Sequence, residues 1–206
     1  RAKILLLTFL TIGPVIALLV YFNIGQYKQA REVEVKNLKN IAKIVATENS
    51  RVNEGARQLL ISLAISPQIR TGQCSSFLSN LLKSYQRYAN FGVADLTGNV
   101  LCSAVSPQEK INISDRYSFR EALATNSFVI GEHTISTITK NSTLNFAYPL
   151  AEPRGVVYAS LNLSWLNNLV ANLELGKQVE VLILDRNKTI LASHPDPQAS
   201  VGKLFL

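Results

Sequence analysis

Methionine is absent from these 206 residues, and the chain has only two cysteines, two histidines and one tryptophan. Two cysteines without Cys-x-x-Cys spacing or a neighbouring histidine exclude a zinc site and a disulfide framework of the small secreted type. His133 and His194 stand apart, without metal-ligand spacing or an acid–base partner nearby. No glycine loop that could cradle a phosphate occurs, and no Gly-x-Ser-x-Gly elbow. Neither a metal, a cofactor nor a catalytic centre is therefore expected within these residues. The formal net charge is +7, but the basic residues are scattered with Glu between them. Without a basic stripe, nucleic acid is not an expected partner. With 47% hydrophobic and 17% charged residues the composition is that of a globular chain. A chain that opens on Arg1 and stops at Leu206 without a terminal signal is expected to be a fragment of a longer protein.

One uninterrupted apolar run is present, Ile4 to Phe22, "ILLLTFLTIGPVIALLVYF". At 1.5 Å per residue it spans roughly 28 Å, the thickness of a bilayer's hydrocarbon core. Gly13 and Pro14 are tolerated in membrane helices, and Tyr21 and Phe22 give an aromatic edge. The run is too long for a signal peptide, and no small-x-small cleavage site follows it. A retained transmembrane helix is expected. Arg1 and Lys3 before it are matched by Lys28, Arg31 and Lys36 after it, so flanking charge does not set its orientation. Cys74 and Cys102 bear on the compartment. Bridged, they would stabilise the fold by about 3–4 kcal/mol on the loop-entropy estimate and require an oxidising environment. The alternative is two buried free thiols.

From Gln26 to about Ile65 there is no proline and one glycine. Leu38, Val45, Val52 and Leu59 recur every seven residues, with Ala42, Asn49, Ala56 and Leu63 as a second track. Both tracks fall on one helical face, for a partner helix or, in the later half, for the chain's own domain. Pro67 ends the helix. Then "SSFLSNLLKSYQRY" places Phe77, Leu78, Leu81, Leu82 and Tyr85 on one helical face. "FGVADLTGNVLCS" reads as a hairpin turning at Leu96-Thr97-Gly98-Asn99. "SDRYSFREALA" begins a short helix capped by Ser114 or Asp115, with Phe119, Ala122 and Leu123 inward. "FVIGEHTIS", "TLNFAYPL" and "GVVYASLNL" read as three strands, and "SWLNNLVANLEL" as a helix capped by Ser164. The result is an α+β chain with a five-stranded antiparallel sheet and flanking helices. "VLILDRNKTILAS" then repeats the first hairpin, with Asp185 matching Asp95 and Ser193 matching Ser103. A second copy of the module starts there.

The ordered series "DRYSFREALATNSFVIGEHTIS", "LNFAYPL", "GVVYASLNLSWL" and "LDRNKTILASHPDP" resembles the double Cache extracytoplasmic sensor family of bacterial transmembrane receptors. The resemblance implies four segments. Residues 1–25 are the transmembrane helix and its flanks, 26–70 the long stalk helix, and 71–176 a membrane-distal PAS-like subdomain. Residues 177–206 begin a second, membrane-proximal PAS-like subdomain. It implies an inner-membrane anchor with the sensor in the periplasm, a homodimer through the stalk, and a cytoplasmic output, with histidine kinase or diguanylate cyclase the types it most resembles. The fragment itself is expected to be no enzyme. A membrane-anchored dimerisation module without a ligand is the competing expectation.

By the same resemblance the ligand is held by Arg116, Tyr117, Phe119 and Arg120, with Tyr148 on a facing strand. A guanidinium binds a carboxylate through two parallel hydrogen bonds, and aromatic rings supply burial. Without a ligand, Arg116 would pair with Asp115 or Glu121, and Tyr117 and Phe119 would be core. The chain departs from the family's amino-acid-binding pattern at Ser118 and Phe119 after Arg116. Its late strand offers Ser160 and Asn162 but no carboxylate for a ligand's ammonium. A simple carboxylate or another small polar compound is the expected ligand.

Overall fold

Helix α1 (Ala2–Ala64) stops where the sequence places the break, just before Ser66 and Pro67. The computed structural model describes residues 2–151, 154–172 and 179–205, with side chains from 31 onward except Gln198. The chain forms two units, 1–45 and 46–206. In the first, Val33, Val35, Leu38 and Ile44 of α1 are exposed. The side chains of Ile4–Phe22, the expected membrane segment, lie outside the described residues. Among the described residues no helix is long and apolar enough to cross a membrane.

In the second unit α1 buries Val52, Ala56, Leu60, Leu63 and Ala64, residues three and four apart on one face. The two heptad tracks thus pack only in their later half. Leu59 is half-buried, and Leu38 and Ala42 are exposed. Helix α2 (Pro67–Arg70) has Pro67 in its first turn, where a missing N–H costs nothing. Helix α3 (Cys74–Ser84) follows, then strands β1 (Tyr88–Ala94) and β2 (Val100–Ser103). Helix α4 (Tyr117–Thr125) leads to β3 (Val129–Ile135), β4 (Ser142–Pro149) and β5 (Val156–Asn162). Helix α5 (Leu163–Ala171), strands β6 (Val181–Leu184) and β7 (Ile190–His194) and helix α6 (Pro197–Ser200) complete the order. The five-stranded sheet runs β2-β1-β5-β4-β3, every pair antiparallel, and β6-β7 forms a separate two-stranded sheet.

Two helix starts differ from expectation. Neither Ser114 nor Asp115 caps α4. Arg116 takes the N-cap position without a side-chain bond: the Arg116 N–H that Ser114 would accept is held by Ile113 O at 3.0 Å, and the Asp115 carboxylate lies 3.7 Å from Arg116 Nε. In α5 the cap is Asn162, whose Oδ1 accepts the Ser164 N–H at 2.9 Å, so Ser164 sits inside the helix.

The sequence repeat is a repeat of hydrogen bonds. Asp95 Oδ1 accepts the N–H groups of Thr97 and Asn99, and Asp185 Oδ1 those of Asn187 and Thr189. The fourth residue of each turn has positive φ, Gly98 at 86° and Lys188 at 62°. Even the flanking chain repeats. The Val100 N–H donates to Ile111 O and Ile113 N–H to Gly98 O, while Ile190 N–H donates to Lys203 O and Phe205 N–H to Lys188 O. One aspartate per copy gathers the turn's amides, which is how an Asx turn closes.

Cys74 and Cys102 are bridged, with Cα atoms 5.8 Å apart, tying the start of α3 to edge strand β2. There are no free cysteines. Replacing both by serine should lower the unfolding free energy of the 206-residue chain by about 3–4 kcal/mol. Urea denaturation under oxidising and reducing conditions checks this. A wild-type midpoint indifferent to reductant would contradict it.

Candidate ligand pocket

Each sheet strand sends alternate side chains to opposite faces. On one face α4 lays Phe119 and Ala122 against Ala94, Val129, Ala147, Val156 and Tyr158, a continuous buried cluster. Beside that cluster opens a pocket with about 520 Å³ of empty space, part of it open to solvent. Its cavity volume, counted as room for the centres of water-sized groups, is about 40 Å³, enough for a few of them. Arg116, Ser118 and Phe119 enter from α4 and its cap, and Thr134, Ser136, Thr137 and Ile138 from β3 and the turn after it. Asn90, Asn145, Tyr158 and Ser160 form the sheet floor.

Most of the floor's polar groups bond one another. Ser160 Oγ donates to Asn145 Oδ1 at 2.7 Å, and Asn145 Nδ2 to Thr134 Oγ1 at 2.8 Å. Asn90 Nδ2 donates to Ser103 Oγ at 2.9 Å, while its Oδ1 accepts the Val105 N–H at 3.1 Å. Burial pushes the Tyr158 phenol well above the ordinary tyrosine range, against a smaller opposing effect of the nearby Ser103 hydroxyl, so it stays neutral. Arg116 is different. Its side chain is 28% exposed, and its ion-pair contact is Nε to Asp115 Oδ1, at 3.7 Å. Among the described residues no hydrogen bond holds its terminal guanidinium nitrogens. No acidic residue is among the described residues that line the pocket.

Of the residues expected to hold a ligand, the pocket brings together Arg116 and Phe119. Tyr117 is half-buried against the adjoining cluster, and Arg120 is exposed. Tyr148 lies three residues beyond Asn145 in a β4 of unbroken register, which puts it on the opposite sheet face. It is close enough to Arg57 of α1 to act on its charge. The tyrosine in the pocket is Tyr158. Ser160, already noted on the late strand, held the signal for it, because a residue two positions away on the same strand shares its face.

Comparison with known proteins matches the Cache domain over residues 25–203. The chain belongs to that family. It is 26% identical over 155 residues to sporulation kinase D of Bacillus subtilis, covering 71% of this chain and 30% of that protein. The chain thus spans about a third of that relative's length. The fold resembles an extracellular domain assigned to a histidine kinase, rpHK1S-Z16, with a TM-score of 0.68 and 18% identity over 81% of this chain and 72% of that one. It also resembles the ligand-binding domain of the Pseudomonas aeruginosa amino acid chemoreceptor PctC in complex with GABA. There the TM-score is 0.63 and the identity 20%, over 80% of this chain and 77% of that one.

The Cache pocket's floor depends on Gly92. A Cβ there would lie 2.3 Å from Cζ of Tyr158, whose ring crosses β1 at that point. Gly92→Ala should cost about 1–3 kcal/mol by overpacking. The cost should shrink in a Tyr158→Ala background, and chemical denaturation of the four proteins of this cycle measures the coupling.

A pH effect follows from His133 beside the pocket. Burial holds its imidazole below the usual value of 6.5, against the opposing pull of Asp185. The folded state favours the neutral ring, so its contribution is complete above the unfolded pKa and is lost as pH falls through 6.5 toward the folded value. Glu54, held down to about 2 by Arg57 and Gln58, acts only below its usual 4.5. The urea midpoint should therefore fall between pH 7.5 and 5.5, and less so in His133→Gln.

Proposed function

We propose that the chain is the extracytoplasmic sensor part of a membrane-bound signalling receptor. Residues 4–22 anchor it, the helix through about 70 is the stalk, residues 71–176 are the ligand-binding subdomain, and 177–206 open a membrane-proximal one. Ligand state passes through stalk and membrane to a cytoplasmic histidine kinase or diguanylate cyclase, and the exposed apolar residues Val33, Val35, Leu38 and Ile44 support pairing of two stalks. The fragment carries no catalysis of its own.

The observation that carries this reading is Arg116, a cation whose guanidinium no hydrogen bond among the described residues holds, at a pocket with no acidic group among its described lining residues. The ligand that fits is a small carboxylate lacking an ammonium. An amino acid of the kind seen with PctC would bring a cation into a pocket whose described lining residues offer no carboxylate to pair it. The small cavity volume favours a second reading, a dimerisation module that takes no ligand.

Thermal-shift titration with short carboxylates, and with amino acids of matched size, separates the two. The sensor reading expects a carboxylate, and not its amino counterpart, to raise the melting temperature. Arg116→Ala should weaken that acid by about ten- to over a hundredfold, the worth of a charge-assisted bond, with folding retained. Arg116→Lys should restore only part, because an ammonium lacks the planar fork. Affinity unchanged in Arg116→Ala would remove Arg116 from the site, and indifference to every acid would favour the ligand-free module.

A further inference from the structure

The second hairpin does not stand clear of the first module. Its turn reaches two segments that flank the pocket. The Arg186 guanidinium lies 3.8 Å from the centre of the Tyr117 ring, a close cation–π stack on the first residue of α4. Asp185 Oδ2 accepts the backbone N–H of His133 at 2.9 Å, across 52 positions of sequence. His133 follows a bulge in β3, the edge strand of the sheet, where a backbone donor has no neighbouring strand to take it. A third contact comes from the loop after α6. Gly202, at φ 84°, leaves room for the His133 ring, which a Cβ would approach to 3.1 Å.

The chain neighbours of the gripped residues line the pocket. Tyr117 lies between Arg116 and Ser118, and His133 precedes Thr134. Arg116 and Thr134 are each joined by one peptide to a residue that the second hairpin grips, Tyr117 by its ring and His133 by its backbone N–H. Asp185 is suited to this because its two oxygens have separate duties. Oδ1 closes its own turn by accepting from Asn187 and Thr189, and Oδ2 is left for His133. The matching Asp95 spends Oδ2 within its own turn, on the Asn99 side chain at 3.3 Å.

We infer that Asp185 and Arg186 are positioning residues for the pocket, setting the geometry of its Arg116 and Thr134 segments without touching a ligand. Docking of the second hairpin and the shape of the pocket are then one linked equilibrium, and a ligand that moves either segment biases the other. The link gives the proposed sensor a route from pocket to second subdomain. It rests on that reading only for its purpose, since the contacts exist without a ligand.

The test is amide hydrogen exchange on the ligand-free 206-residue chain, with global stability measured in parallel. Arg186→Ala should raise exchange in residues 113–123 by about two- to fivefold, the worth of an exposed cation–π contact. Arg186→Lys, which keeps a cation over the ring, should restore most of the protection. Asp185→Asn keeps the Oδ1 acceptor of the turn but can present an NH₂ group to the His133 N–H. It should raise exchange in residues 131–138 by about tenfold or more, while β1 and α5 keep wild-type protection. A change confined to residues 181–190, or a uniform rise throughout the chain, would overturn the inference. No ligand enters the measurement, so a chain that binds no acid would sink the sensor reading and leave this link standing.

Discussion

The period of two in β5 governs the rest of the second unit. As the middle strand of five it bonds β1 on one side and β4 on the other, and all its residues but Asn162 are buried. Val156, Tyr158 and Ser160 face α4 and the pocket, whereas Val157, Ala159 and Leu161 face the other way. A slip of one residue would exchange the two sets, aiming Ala159 at the pocket and burying the Tyr158 hydroxyl among apolar groups. Register is therefore strongly held, and it carries β4 and β1 with it. Asn145 pairs with Ser160 across the ladder, and Gly92 with Tyr158. Pocket floor and sheet pairing are the same set of contacts.

Buried polar groups are matched with similar economy. Asn167 of α5 offers its side-chain amide to strand β7 as a neighbouring strand would offer its backbone. Its Oδ1 accepts the Ser193 N–H at 3.0 Å, and its Nδ2 donates to Leu163 O at 2.7 Å and Leu191 O at 3.3 Å. The helix that closes the first module thus satisfies a strand of the second. Asn90 does similar work beneath the pocket, joining Ser103 to the Val105 amide. A buried amide left unpaired would cost about 1–3 kcal/mol, so these asparagines fix the relative placement of their elements.

Duplication supplies the turn chemistry, and the use made of each copy differs. In both turns an aspartate gathers the amides and the fourth residue takes positive φ. The first copy is tied to α3 by the Cys74–Cys102 bridge. The second turns its aspartate and the arginine after it onto β3 and α4. Leu96, at the position that Arg186 holds in the repeat, is exposed.

The amino-acid sequence by itself determined the longer elements and their order, because helix and strand periods, turn glycines and prolines are local, but not the one-turn helices α2 and α6. It also showed the internal repeat and offered Cys74 and Cys102 as a bridge or as two free thiols, while Arg116 and Phe119 came from the family resemblance rather than from spacing. Two helix caps escaped it: Ile113 O holds the amide that Ser114 would have capped, and Asn162 takes the cap position expected of Ser164. The face of each strand was decided only by the tertiary structure. Tyr148 and Tyr158 are both strand tyrosines, and only the register with their neighbours sends the first toward α1 and the second into the pocket. The grip of Asp185 and Arg186 on β3 and α4 likewise leaves no local trace, because it joins residues far apart in the chain through a backbone N–H and a ring face that no sequence pattern marks.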